Sequence, residues 1–203
     1  MAKQIEITTK DNILRIAARL FAEKGYRGVT MREIAKTANI TAASIYYHFP
    51  SKENILKNLY KFYSEQRRKE YPDLNRLLVL AETEAPHKVL MMTEFHFNEE
   101  IREMLSQIIV TATRIISVDP ESKSFIQENI FDSITNILKP LLERMLELGR
   151  IKPLNVDAFL NVLSFYCFSA AALNYSPFRQ EVAEYRAGMS FIYKSIVPAR
   201  EKI

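Results

Sequence analysis

Thr30, Arg32, Thr41, Ser44, Tyr46, Tyr47, His48, Ser51 and Lys52 fall within one 23-residue stretch, TMREIAKTANITAASIYYHFPSK. Hydroxyls, a phenol pair, an imidazole and two cations at this density suit hydrogen bonding to an anion, above all to phosphate oxygens. They do not suit catalysis. His48 and Cys167 are single residues without a nucleophile–base partner, and no phosphate loop or metal motif occurs in the chain, so the reading is not that of an enzyme.

The elements that must position these groups can be read from the same stretch. Thr30 with Glu33 makes a capping box that opens a helix whose inward residues are Met31, Ile34, Ala35 and Ala38. Asn39 stands where the chain must turn sharply, and Asn is second only to Gly at positive φ. Thr41 caps the next helix, which the pattern carries to about Tyr47. Pro50 cannot continue it, and Ser51 caps a further helix that reaches about Glu70, before Pro72. Upstream, Ile13, Leu14, Ala17, Leu20 and Phe21 form one apolar stripe on a helix from about Thr9 to Lys24, closed by Gly25.

Two short amphipathic helices with a three-residue joint make a helix-turn-helix, whose second helix enters the DNA major groove. A recognition helix of roughly eight residues is about 12 Å long, which matches a groove about 12 Å wide. Its first residues, Thr41, Ala42, Ala43 and Ser44, are then the ones at base edges, and Ile45 faces inward. Arg32 is the long side chain placed to reach a base or phosphate. Tyr46, Tyr47 and His48 at the far end, Thr30, and Ser51 with Lys52 at the next helix N-terminus are candidate phosphate contacts. The structural alternatives are that the two threonines serve only as caps and that one tyrosine packs on the following helix.

The segment FAEKGYRGVTMREIAKTANITAASIYYHFPSKENIL resembles the DNA-binding domain of the TetR family of bacterial repressors. The resemblance covers residues 9–56. It rests on Phe21, Gly25-Tyr26, Val29-Thr30, Ile34-Ala35, Ile45-Tyr46, His48-Phe49, Ser51-Lys52-Glu53 and Leu56. It implies a homodimer that binds a palindromic double-stranded operator and lets go when a small molecule enters a second domain. Asn39 replaces the glycine usual in that turn. Ala42 and Ala43 stand where some members carry long polar side chains, so the tip of this recognition helix has few hydrogen-bond donors.

The chain as a whole supports an all-α fold. It has 203 residues, 48 % of them apolar, and only four glycines, at positions 25, 28, 149 and 188. The net charge of +4 is unevenly placed: residues 1–70 carry 14 Lys/Arg against 7 Asp/Glu, and the remainder 14 against 17. A basic end that coincides with the helix-turn-helix fits a surface that displaces phosphate counterions. One cysteine excludes an internal disulfide. No apolar run of membrane-spanning length occurs, and the polar N-terminus lacks a signal-peptide core, so the expected location is the cytoplasm.

Beyond residue 70, helical patterns cover about 74–84, 86–97, 98–117, 120–148, 155–175 and 180–197, with Pro140 expected to kink or divide the fourth. The expected organisation is a helix-turn-helix domain over 1–52 and a helical ligand-binding and dimerisation domain over 53–203, with a bridging helix at about 51–70. Residues 155–175 are apolar on nearly every side, as in a helix buried against both its own subunit and a partner. By the family resemblance, helices about 155–175 and 180–197 pair two subunits.

Met91, Met92, Phe95, Met104, Tyr166 and Phe168 are the candidate residues for a hydrophobic effector, although Met and Phe at such spacing also build cores. His87, His96 and the nearby glutamates match no metal-ligand spacing, and Cys167 reads as a buried, inert thiol. No cofactor is expected. The functional reading is a dimeric, ligand-released transcriptional repressor; the alternative is a DNA-binding regulator that needs no ligand or answers to a partner protein.

Overall fold

The computed structural model describes residues 9–94, 97–173 and 182–198. Among them every regular element is helical. The order is α1 (Thr9–Lys24), a 3-10 turn (Tyr26–Gly28), α2 (Met31–Thr37), α3 (Ala42–His48), α4 (Lys52–Lys69), α5 (Leu74–Thr83) and α6 (Pro86–Met91). It continues with α7 (Glu99–Ile115), α8 (Pro120–Ile126), a π-helical segment (Gln127–Asp132), α9 (Ser133–Glu147), α10 (Val156–Leu173) and α11 (Val182–Ser195). The all-α expectation holds. No described helix is long and apolar enough to cross a membrane.

The chain folds into two compact units. One is drawn from residues up to Gln66 together with Asn98–Phe125, the other from Arg67–Phe97 and from Ile126 onward.

In the first unit, α1 buries the predicted stripe of Ile13, Leu14, Ala17, Leu20 and Phe21. Gly25 follows with φ 77° and ψ 145°. This is a positive-φ conformation practically restricted to glycine, although it is not the left-handed helical one expected. The turn after α2 is a Schellman motif: Ile40 N–H donates to Ala35 O at 3.0 Å and Asn39 N–H to Lys36 O at 3.2 Å. Asn39 carries φ 55°, as its place in the turn requires.

Replacing Asn39 by glycine should therefore leave thermal stability unchanged or slightly raised. Replacing it by valine should cost about 1–2 kcal/mol, read by calorimetry, because a β-branched side chain is strained there.

Helix α7, outside the linear stretch that announces this unit, packs along α1. Arg15 pairs with Glu100 at 2.7 Å, and the Arg114 guanidinium donates to the carbonyl of Ala22. Residues Met104 to Ala112 of α7 are all buried, including the polar Ser106, Gln107 and Thr111. Tyr60 of α4 stacks on Phe125, with ring centroids 4.2 Å apart, and its hydroxyl meets Ser122 Oγ at 2.6 Å.

The second unit has its core among Leu77 and Ala81 of α5, Val89 and Leu90 of α6, Ile137, Leu141 and Met145 of α9, Leu160 and Leu163 of α10, and Met189 and Tyr193 of α11. The helix expected over 86–97 is confined to Pro86–Met91.

Pro140 does not divide the long helical run: α9 passes through it without interruption. Its missing N–H leaves the carbonyl of Asn136 without a helical partner. Asn136 is not buried, so water can serve that carbonyl, and Leu138, Leu141 and Leu142 bury the helix on either side of the proline.

The irregularity lies earlier, in the π segment, a helical form uncommon outside single-turn bulges. Ser133, just after it, donates from Oγ to Asn129 O at 2.8 Å and accepts from Arg67 Nη2 at 2.6 Å. In α11, Gly188 has the Tyr166 hydroxyl oxygen close to where a Cβ would stand, at 2.2 Å. The same Tyr166 ring stacks on Tyr185, with centroids 5.7 Å apart.

Candidate nucleic-acid interface

The hydroxyls at the two helix starts are held by their own helices. Thr30 Oγ1 accepts from Glu33 N–H at 3.2 Å, and Thr41 Oγ1 accepts from Ser44 N–H at 3.1 Å. Capping uses each oxygen as an acceptor, so each hydroxyl proton remains available to donate to an anion. Both residues are exposed.

The first turn of α2 is also tied to the end of α1. Glu33 pairs with Lys24, which holds its carboxyl below the usual range, with a further contribution from the Thr30 backbone N–H.

Helix α3 is seven residues long and only Ile45 within it is buried. Phe49, fully buried, closes it with N–H to Ile45 O at 2.8 Å. Thr41, Ala42 and Ala43 are exposed and Ser44 is half-buried, so the tip of the helix is open to solvent. Tyr47 is 87 % exposed and Tyr46 51 %. An aromatic ring left so open on a short helix is unexplained by packing. His48 meets the edge of Tyr47, with centroids 5.3 Å apart. Arg32 is exposed on α2, as is Lys36 in its last turn, and Arg27 is exposed in the preceding 3-10 turn. Lys36 and Arg27 are further cations that motif spacing did not single out; their charge was the only signal.

At the start of α4 the side chains of Ser51 and Lys52 are engaged within the protein. Ser51 Oγ accepts from Asn54 N–H at 3.1 Å. Glu53 accepts from its own backbone N–H and from the Ser51 hydroxyl, which holds its carboxyl below the usual range. The ammonium of Lys52 is turned inward. It donates to Tyr26 O and to Val29 O, each at 2.8 Å, and lies 4.5 Å from the centroid of the Tyr26 ring. Burial lowers the pKa of this lysine below the ordinary value. What the helix start still offers an anion is the backbone N–H of Lys52 rather than its side chain.

Residues 13–59 match the family described as bacterial regulatory proteins, tetR family. Over those residues the chain carries the domain of that family. Its similarity to the icaADBC biofilm-operon negative regulator IcaR of Staphylococcus aureus (strain Newman) is 35 % identity over 88 residues, covering 43 % of this chain and 44 % of the relative. With the Staphylococcus epidermidis IcaR it is 50 % over 48 residues, 24 % of this chain and 26 % of the relative. The chain thus spans less than half the length of the curated relatives it matches.

Solved structures extend the likeness in fold across the whole chain. A tetR-family regulatory protein from Rhodococcus RHA1 aligns with TM-score 0.64 at 19 % identity, covering 98 % of this chain and all of that one. The ketosteroid regulator KstR2 of Mycobacterium tuberculosis aligns with TM-score 0.60 at 21 % identity, covering 97 % and 98 %.

The residues expected to take an effector are divided between the two units. Met104 is buried in α7, in the first unit, because that helix returns to pack on α1. Met91, Met92, Tyr166 and Phe168 belong to the second. Phe168 meets Phe131 of the π segment at 5.9 Å, Met91 packs against the core, and Met92 is half exposed. Phe95 lies outside the described residues. Cys167 is 3.5 Å from the Tyr185 hydroxyl, and burial raises its thiol pKa. Among the described residues no cluster of three or more His, Cys, Asp or Glu is arranged to hold a metal ion.

Proposed function

We propose that this protein is a DNA-binding transcriptional repressor that acts as a homodimer on a two-fold operator and is released by a small hydrophobic effector. The observation that carries the reading is α3 itself: a short helix anchored by Ile45, with its capped tip and two tyrosines left open to solvent. Thr41, Ala42, Ala43 and Ser44 face the base edges, and Arg32 reaches base or phosphate. Thr30, Tyr46, Tyr47, His48 and the Ser51–Lys52 backbone contact phosphate.

The tip is poor in donors, so selectivity draws on methyl contacts to thymine and on DNA shape. Replacing Ala42 and Ala43 by glycine should relax selectivity only at thymine-bearing positions. Glycine also weakens a helix by about 1 kcal/mol per site. The quantity to measure is therefore the affinity ratio between operators that differ at one base, from which that common cost cancels.

A pairing surface is supported by α10 and α11. Val162 and Phe165 on α10 and Phe191 on α11 are 70 %, 63 % and 75 % exposed in the single chain. A two-fold pairing through these helices would set two α3 helices about 34 Å apart, one DNA turn. The effector would bind in the second unit, near Met91, Met92, Tyr166 and Phe168, and α4 would carry the change towards the DNA-binding helices. A coupling of about 1–3 kcal/mol between effector and operator lowers occupancy several-fold or more.

The direct experiment is selection of bound DNA from a random duplex pool, repeated with hydrophobic ligands. Recovery of a palindrome whose binding one ligand weakens is the expected result. Failure to enrich any sequence would refute the repressor reading, and an operator affinity indifferent to every ligand bound by the second unit would refute its effector control.

A further inference from the structure

We propose that Lys52 is a positioning residue: its ammonium is a peg that locks the Tyr26–Val29 turn to the start of α4, and it does not contact phosphate. An ammonium has three N–H donors and no acceptor. Here two carbonyl oxygens at 2.8 Å and the face of the Tyr26 ring at 4.5 Å provide three acceptors for them. The cation is satisfied within the protein.

The location of the niche gives the peg its role. Val29 directly precedes Thr30, the cap of α2, and Lys52 directly follows Ser51, the cap of α4. One side chain therefore sets the spacing between the starts of the two helices that flank α3 in the sequence. On the DNA-binding reading, on which this inference rests, both helix starts face phosphates. Their spacing must match the backbone before binding, and freedom there would cost affinity. A compact ammonium suits this niche, whereas a planar guanidinium directs its donors in a fixed fork and cannot reproduce the three directions.

The first test uses the unaltered protein without DNA. Acetylation by acetic anhydride, followed by mass spectrometry, should modify Lys52 at least about tenfold more slowly than the exposed Lys36, because two charge-assisted hydrogen bonds must open first. Equal rates would place the ammonium in solvent and overturn the proposal.

The second test measures operator affinity over a salt series for Lys52→Met and Lys52→Arg, at a temperature where circular dichroism shows both folded. Both should lose about tenfold or more in affinity, with the slope of log affinity against log salt unchanged. A phosphate ligand would behave otherwise: Lys52→Arg would retain affinity, and Lys52→Met would lower the slope by about 0.9. Wild-type affinity in both folded variants would reduce the lysine to a purely structural part. Either result overturns the proposal. A wild-type protein that binds no duplex would defeat the repressor reading, while the acetylation experiment would still decide whether the niche exists.

Discussion

Phe191→Glu should sediment at half the mass of the proposed wild-type homodimer at micromolar concentration and should lose operator affinity by about 10²–10⁴-fold. Burying a phenylalanine side chain contributes about 1.5–3 kcal/mol. A two-fold axis counts the substitution twice, and an unpaired carboxylate in an apolar seam adds its own desolvation cost. The sum is enough to separate subunits joined through α10 and α11. Phe191 is largely exposed in the single chain, so its replacement should leave the fold of one protomer intact. The loss of affinity follows because two linked half-site contacts become two independent ones. Analytical ultracentrifugation and fluorescence anisotropy report the two effects separately. A variant that sediments as the wild type does and binds the operator normally would overturn pairing through α10 and α11.

Ile45→Ala is the second large effect, and it arises inside α3, the proposed recognition helix. Removing a fully buried isoleucine side chain costs about 2–5 kcal/mol. Seven residues cannot hold a helix in water on their own. Ile45 is the one buried residue of α3, so this cost falls on the docking of α3 before it falls on the rest of the unit. Amide hydrogen exchange over residues 42–48 should accelerate first, with α1 still protected. Operator affinity should fall by at least about tenfold for each half-site, at about 1.4 kcal/mol per tenfold. Exchange that rises equally in α1 and α3 would show that α3 does not open as a separate element.

The parts of this architecture legible in the sequence are those decided within a few residues. Thr30, Thr41 and Ser51 announce helix starts because a cap bonds three residues ahead. Asn39 announces a turn because few side chains accept positive φ. The apolar stripe of α1 follows from a period of about 3.6.

What is not legible depends on segments far apart in the chain. Lys52 reads as part of a helix start that can hold phosphate, whereas the carbonyls of Tyr26 and Val29 that hold its side chain are brought there only by folding. Met104 reads as a neighbour of Met91 because the two are close in sequence, but α7 returns to α1. Pro140 reads as a kink or a division because local rules do not weigh the buried leucines around it, and nothing in the composition of Gln127–Asp132 marks a π segment.

Tyr166 and Gly188 form a pair with a direction in mutational history. With the tyrosine hydroxyl 2.2 Å from the place of a Cβ, Gly188→Ala collides as long as position 166 is tyrosine. Tyr166→Phe removes that oxygen and leaves a ring carbon at 3.1 Å, a distance a small shift can relieve. Two routes lead to the double variant that combines Tyr166→Phe with Gly188→Ala. The one that changes Tyr166 first passes through the more stable intermediate.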